Sequence, residues 1–114
     1  SGMFYGIQRG AIAALKRDAS WFKSMNAIWR KRRVLTEQLA EKLGCEVYKE
    51  GVGLFVWAKL PAGISSSEAF IDQILYEKHI FITPGTIFGS NGEGYIRFAL
   101  CVKEEKVQEA IDRF

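Results

Sequence analysis

Residues 83–101 constrain the fold of this chain more than any other stretch, because a turn-rich loop runs directly into an apolar strand. Glycine is frequent in the loop, at Gly85, Gly89, Gly92 and Gly94. This density suits positive φ angles, which glycine adopts without strain. It does not have the spacing of a phosphate-binding loop, since no Lys followed by Ser or Thr comes after it. The segment therefore predicts a tight loop that leads into a strand over residues 95–101.

One charged residue, Arg97, interrupts that strand between the apolar residues Ile96 and Phe98. Because side chains alternate between the two faces of a strand, Arg97 is predicted to lie on the face opposite both neighbours. An arginine on a strand face needs water, a carboxylate or a phosphate beside it. Its planar fork suits a carboxylate in a bidentate arrangement. Two alternatives follow from the residues: Arg97 pairs with a structural carboxylate, or it binds an external ligand.

Hydrophobic periodicity divides the whole chain into helices and short strands. It predicts helices over residues 4–18, 20–43, 65–78 and 103–114, and strands over 46–48, 54–59, 79–82 and 95–101. The second of these strands alternates little, so we expect it to be covered on both faces. The order α-α-β-β-α-β-β-α predicts an α+β fold. Its small, mixed, mainly antiparallel sheet would have three or four strands, with helices packed mostly on one face.

Local signals predict where the longer helices begin and end. Ser20 is expected to cap the second helix, and Gly44 to stop it. Ser65, followed three residues later by Glu68, predicts a capping box at the start of the third helix.

The chain has 114 residues, enough for one domain with a modest core. No apolar run approaches the roughly 20 residues that span a bilayer, and no signal-peptide pattern opens the chain. Cys45, Cys101 and the single His79 lack the spacing of metal ligands. We therefore expect two reduced structural thiols, no metal and a cytoplasmic location.

Charge is distributed unevenly along the chain. Residues 1–44 contain nine Lys or Arg and three Asp or Glu, whereas residues 45–114 contain seven and ten. Much of the basic excess is the run Arg30-Lys31-Arg32-Arg33, which indicates either the solvated face of a helix or a nucleic-acid-binding patch. The interspersed apolar residues and the acidic second half favour the solvated face. We expect neither a nucleic-acid nor a membrane partner.

Four segments, in order, resemble the fold-type I, pyridoxal-phosphate-dependent aminotransferases of class I/II. Residues 83–101 are similar to that family's Pro-Gly…Phe-Gly loop and its strand Gly-Tyr-Ile/Val-Arg-Phe/Leu. Residues 3–11 are similar to its Phe-x-x-x-Gln-x-x-Ala helix, and residues 53–57 to its Gly-Gly/Ala-Phe/Leu-Phe-x-Trp strand. Residues 25–33 resemble its Tyr-x-x-Arg-Arg-Asp-x-Leu helix, with Val34 where an acid is common. The chain looks most like the aspartate/aromatic/methionine and LL-diaminopimelate aminotransferases.

The resemblance implies roles for four residues. Arg97 would bind the α-carboxylate of the amino-acid substrate, and Phe55 would be placed to face the substrate pocket. Phe88 and Gly89 would lie in a loop near the mouth of the active site. The family's Schiff-base lysine (in a Ser-x-x-Lys context), its pyridinium-binding aspartate and its phosphate-binding residues belong to a large domain upstream. No catalytic or cofactor-binding residue is therefore implied within this chain.

On this resemblance, residues 3–114 would be the C-terminal small domain, a fragment lacking the large cofactor-binding domain, and Ser1-Gly2 the remnant of an expression tag. The parent would be a homodimeric enzyme that uses pyridoxal 5′-phosphate to move an amino group from an amino acid to a 2-oxo acid. The fragment alone would bind no cofactor and be inactive. Two alternatives stay open: the small domain of another fold-type I enzyme, such as a β-lyase or a decarboxylating synthase, or a free-standing nucleic-acid-binding module.

Overall fold

The computed structural model describes residues 2–114; Ser1, half of the expected tag remnant, lies outside the described residues. Four helices occur: α1 Tyr5–Leu15, α2 Ala19–Lys42, α3 Ser67–Lys78 and α4 Glu104–Asp112. The strands are β1 Glu46–Val47, β2 Phe55–Lys59, β3 Thr83–Pro84 and β4 Tyr95–Ala99. Two short 3-10 turns, Gly85–Phe88 and Ser90–Gly92, connect β3 to β4. The predicted order of elements and the α+β class are confirmed.

The strands form one sheet in the order β1-β2-β4-β3, and all three pairings are antiparallel. The predicted sheet was mixed, so the expected parallel component is absent from residues 2–114. In the central pair, Val56 lies opposite Phe98 and Ala58 opposite Ile96. These four side chains point to one face, and all are buried. That face supports the core of the domain.

The core lies between this face of the sheet and the helices. Its buried members come from α2, α3 and the strands with their flanking residues: Leu39, Ala40, Cys45, Val47, Val56, Ala58, Leu60, Ile71, Ile74, Ile82, Ile96, Phe98 and Leu100. Ala110 and Ile111 of α4 pack against them. The opposite face of the sheet carries no helix among residues 2–114. Phe55 and Trp57 on β2 are therefore only partly covered, and the prediction that this strand is covered on both faces was wrong.

The segment 79–82 is not a strand, contrary to the prediction. His79 takes the left-handed conformation, φ 55°, and its N–H donates to the carbonyl of Leu75, which ends α3. The chain therefore turns at His79, and only Thr83 and Pro84 come into register with β4. The segment is apolar because Ile82 is buried in the core, not because the segment pairs with a neighbouring strand.

Two helix caps differ from the sequence signals by one or two residues. Asp18, not Ser20, caps α2, because its Oδ1 accepts from the N–H groups of Ser20 and Trp21. The Ser20 hydroxyl also donates to this carboxylate, and these hydrogen bonds lower the pKa of Asp18. Ser66, not Ser65, caps α3, because Ser66 Oγ accepts from the N–H of Ala69. Gly44, with φ 75°, follows α2 as predicted.

The two cysteines occupy different environments. Both are free thiols, as expected. Cys45 is buried in the core, and burial raises its pKa to about 11. Cys101 is exposed in this chain and lies beyond the end of β4 at Ala99.

Candidate functional site

Arg97 occupies the sheet face that carries no helix. It sits in β4 between buried Ile96 and buried Phe98, on the side away from both, as the alternation predicted. Its register partners are Trp57 on β2 and Thr83 on β3. Backbone pairing on both sides therefore fixes the position from which its side chain extends.

Two phenylalanine rings hold the guanidinium group. The Cζ atom of Arg97 lies 4.2 Å from the ring centroid of Phe55 and 4.0 Å from that of Phe88. Two rings this close to one carbon atom cannot overlap each other, so they lie on different sides of the guanidinium group. We call this pair, Phe55 and Phe88, the aromatic clamp. A cation over an aromatic face is attracted by the quadrupole of the ring.

The clamped cation has no anionic partner within residues 2–114. Arg97 forms none of the ion pairs there. Its Nε atom is buried and has no hydrogen-bond acceptor among the same residues. The alternative in which Arg97 pairs with a structural carboxylate is thus not found in the described chain. A buried, unpaired donor on a cation costs free energy that an oxyanion would recover.

Further aromatic side chains support the clamp from the sheet. The Trp57 and Tyr95 rings are stacked, with centroids 5.5 Å apart and an interplanar angle of 14°. Trp57 also meets Phe88 edge to face, with centroids 6.0 Å apart. We call Trp57 and Tyr95 the aromatic floor. Phe88 is therefore braced on one side by the floor and on the other by Arg97.

The loop between β3 and β4 contains Phe88, and its glycines have two different structural roles. Gly89 and Gly94 have positive φ angles of 118° and 80°. Gly85 and Gly92 do not; their backbones approach so closely that a Cβ on Gly92 would lie 2.0 Å from the carbonyl oxygen of Gly85. The expectation of four positive φ angles was thus wrong at these two positions, where the missing side chain itself is required.

Glu93 connects this loop to α3, a role that the sequence analysis missed. Its Oε1 accepts from the N–H of Ser67, at 2.7 Å, and from the N–H of Gly94, at 2.9 Å. These backbone hydrogen bonds lower the pKa of Glu93, with the contribution from Ser67 the largest. Thr86 Oγ1 on the same loop donates to Glu68 on α3. The only sequence signal for this role was an acidic residue between two glycines. Its partner, Ser67, lies 26 residues away in the chain, so local patterns could not identify it.

The basic run on α2 is divided between solvent and the interior. Arg33 Nη2 donates to the carbonyls of Gly53, at 2.9 Å, and Phe55, at 3.2 Å. Arg32 forms an ion pair with Glu104 and donates to the carbonyl of Leu100. Arg30 and Lys31 are exposed. The expectation of a wholly solvated face was therefore wrong for two of the four residues, which instead tie α2 to the ends of β2 and β4.

A cleft of about 500 Å³ opens where the segment 79–82 separates from β4. Arg97 contributes to its wall, but neither ring of the clamp does. At its rim, Lys106 and Arg113 both pair with Glu109. Because these charges are already satisfied, we place the candidate site at the clamp rather than in this cleft.

The described residues contain no group of three or more His, Cys, Asp or Glu side chains able to hold a metal ion. Within residues 2–114, none of the helices combines the length and apolar character needed to cross a membrane. No lysine belongs to the clamp or the floor. Arg97 is thus the cation of the candidate site.

Comparison with known proteins gives consistent matches over nearly the whole chain. The family model described as aminotransferase class I and II matches residues 6–114. The LL-diaminopimelate aminotransferase of Maridesulfovibrio salexigens is 37% identical over 113 residues, which cover 99% of this chain and 29% of that protein. The transaminase BacF of Bacillus subtilis is 37% identical, with coverages of 98% and 28%. The chain therefore spans somewhat under a third of the length of these relatives.

Solved structures show the same fold. The substrate-bound structure of BacF from Bacillus subtilis superposes with a TM-score of 0.78 at 34% identity, covering 98% of this chain and 29% of that one. A probable N-succinyldiaminopimelate aminotransferase from Thermus thermophilus gives a TM-score of 0.79 at 26% identity, with coverages of 98% and 30%.

Proposed function

The chain belongs to the class I and II aminotransferase family, and on that premise we propose that it is the part of an aminotransferase that binds the α-carboxylate of the substrate. Residues 3–114 would form the C-terminal small domain of that enzyme, and Arg97 would be the carboxylate ligand. The observation that carries the proposal is the clamped guanidinium: a cation held between Phe55 and Phe88 with no anion from the described chain.

Arg97 would act by binding and orientation. A bidentate carboxylate contact fixes two oxygens at once, and so sets the direction in which the rest of the substrate extends. The β4 backbone and the two rings restrict the guanidinium before any ligand arrives, which reduces the entropy lost on binding. Phe88 and Gly89 would line the entrance, since their loop is held beside Arg97 by the Gly85–Gly92 contact.

The parent enzyme would move an amino group from an amino acid to a 2-oxo acid and act as a homodimer. Pyridoxal 5′-phosphate supplies the electron sink for this chemistry when it is bound. The residues of this chain do not by themselves fit that group: eight of its nine lysines are exposed, and the half-buried Lys78 lies against the ring of Phe114. No step of the reaction is therefore assigned to residues 2–114.

Two alternatives differ in what supports them. Another fold-type I enzyme, a β-lyase or a decarboxylating synthase, would use the same carboxylate contact, so the clamp does not separate it from an aminotransferase. A nucleic-acid-binding module would need Arg30 to Arg33 to face outwards together. Arg32 and Arg33 are bound to the protein instead, which argues against this alternative.

The test is kinetic and uses the full-length parent enzyme. Changing Arg97→Ala should lower kcat/KM for amino-acid substrates about 30-fold to several-thousand-fold, the factor that corresponds to roughly 2–5 kcal/mol for removing one member of a buried charged pair. Arg97→Lys should also impair the enzyme, because an ammonium cannot form the planar fork. Simple amines that lack a carboxylate should be hardly affected. Equal losses for both substrate types would show a structural role and overturn the proposal.

A further inference from the structure

We propose that the aromatic clamp makes Arg97 selective for planar carboxylates over tetrahedral oxyanions, with Phe55 and Phe88 as the specificity-determining residues. This inference rests on the proposed function, because it concerns which anion Arg97 accepts. It goes further in assigning the choice of head group to two side chains that do not themselves carry charge.

The clamp leaves only a slot around the guanidinium. The distances of 4.2 and 4.0 Å place the two ring centroids at most about 8 Å apart. Carbon atoms in contact lie roughly 3.5–4.0 Å apart, so each ring takes up a little under 2 Å on its inner side, and the slot is about 4–5 Å wide. The N–H groups of a guanidinium point outwards in its own plane. A ligand must therefore approach within the slot, edge on.

A carboxylate suits this slot because all of its atoms that meet the guanidinium lie in one plane. Its thickness is that of a single layer of atoms, about 3.5 Å, and two parallel N–H···O bonds form without contact with either ring. A sulfonate or phosphonate has three oxygens arranged around a tetrahedral centre. When two of them face the fork, the third projects out of the plane and towards Phe55 or Phe88.

Contacts with the sheet and with α2 position the two walls. The backbone of Phe55 is held by Arg33, which donates to its carbonyl. The Phe88 ring contacts Trp57, which in turn stacks on Tyr95. The backbone of the Phe88 loop is pinned by the close approach of Gly85 and Gly92. To accommodate a tetrahedral head group, one ring would have to move and lose its cation–π contact and its packing. This loss corresponds to a roughly tenfold weaker affinity for the tetrahedral anion.

The test follows the Nε–H resonance of Arg97 in nitrogen-labelled chain while acetate, trifluoroacetate or methanesulfonate is added at pH 7. The resonance is assigned by its disappearance in Arg97→Lys. Trifluoroacetate is the decisive probe, because it is planar like acetate yet weakly basic like a sulfonate. We expect both carboxylates to shift the resonance saturably, and methanesulfonate to need about ten times the concentration of trifluoroacetate.

Two variants assign the selectivity to the rings. Phe88→Leu and Phe55→Leu each remove one wall, and each should bring the trifluoroacetate-to-methanesulfonate ratio close to one. Phe4→Leu is the matched control, since Phe4 is 74% exposed at the start of α1, and its ratio should stay unchanged. Amide spectra verify that each variant is folded.

The possible failures are distinguishable. If no anion moves the Arg97 resonance, the proposed carboxylate site itself is wrong. If trifluoroacetate and methanesulfonate bind equally well to the unchanged chain, Arg97 binds carboxylates but does not select them over tetrahedral anions. This comparison requires no variant. If the ratio survives both leucine substitutions, the rings do not determine it.

Discussion

Arg33 Nη2 on α2 donates a hydrogen bond of 3.2 Å to the carbonyl of Phe55 on β2, and the ring of that phenylalanine covers one face of the Arg97 guanidinium. A residue in the basic run of a helix thus positions a wall of the candidate binding site. The connection runs through the backbone, so it depends on a single nitrogen of Arg33, Nη2, donating to two carbonyls at once.

Replacing Arg33 with methionine should weaken both the fold and anion binding. The change removes two hydrogen bonds that one charged nitrogen donates at a solvent-accessible position, while the aliphatic packing is largely kept. We expect the free energy of unfolding in urea to fall by roughly 1–3 kcal/mol. The affinity for acetate at Arg97 should fall as well. Arg30→Met on the exposed side of the same helix is the control; an equal loss there would mean that charge on α2, not the contact with Phe55, matters.

Glu93 should make the stability of the chain depend on pH on the acid side. Hydrogen bonds from Ser67 and Gly94 lower the pKa of this carboxyl below its ordinary value of 4.5. The stabilisation is therefore complete above pH 4.5 and is lost as pH falls through the folded-state pKa. Glu93→Gln should be less stable at pH 7 and lose less stability on acidification, as measured by thermal melts between neutral and acid pH. Glu46→Gln, on the exposed edge strand, should retain the original profile; if Glu93→Gln also retains it, Glu93 does not have this role.

Gly92→Ala should destabilise the loop that carries Phe88. The new Cβ would lie 2.0 Å from the carbonyl oxygen of Gly85, and a backbone atom cannot move aside cheaply. Overpacking of this kind costs about 1–3 kcal/mol or more. Gly10→Ala on α1 is a matched control with nothing within 4 Å of its Cβ, and it should be neutral or stabilise the helix. Denaturant unfolding measures both; a neutral Gly92→Ala would refute the packing role.

The chain should not form a specific covalent adduct with pyridoxal 5′-phosphate. Only Lys23, three residues after Ser20, has the spacing Ser-x-x-Lys, and it is exposed near the start of α2; eight of the nine lysines are exposed. After incubation with the cofactor and borohydride reduction, peptide mass spectrometry should find only scattered, substoichiometric labelling. The full-length parent, treated identically, should be labelled at one lysine. A stoichiometric pyridoxyl group on a single lysine of this chain would contradict the small-domain proposal.

The chain should self-associate through residues 4–22. No residue of α1 is buried, and Phe4, Tyr5, Ile7 and Leu15 are all more than half exposed. An apolar patch larger than a few hundred Å² is unusual on a monomer, and covering it recovers roughly 25 cal/mol per Å². We expect light scattering to show a dimer or larger species at high concentration. Ile7→Glu should shift the equilibrium towards monomer, and Val52→Glu, 91% exposed in the turn before β2, should not. A clean monomer at millimolar concentration would rule the contact out.

The sequence by itself determined the features that depend on neighbours along the chain. Alternation placed Arg97 opposite Ile96 and Phe98, and helical periodicity located α1 to α4, because both signals repeat within a few residues. The left-handed Gly44 after α2 was predictable for the same reason. Even locally, competing polar groups shifted the caps: the carboxylate of Asp18 displaced Ser20, and Ser66 displaced Ser65.

Only the tertiary structure decided what surrounds Arg97. Phe55 and Phe88 reach its guanidinium from β2 and from the loop after β3, Arg33 reaches the Phe55 carbonyl from α2, and Gly92 meets the backbone of Gly85. Each of these contacts depends on how α2 and the loop pack against the sheet, and no local periodicity encodes that arrangement. Sequence alternation could therefore place the cation on its face of β4, but folding alone brought the two aromatic walls to it.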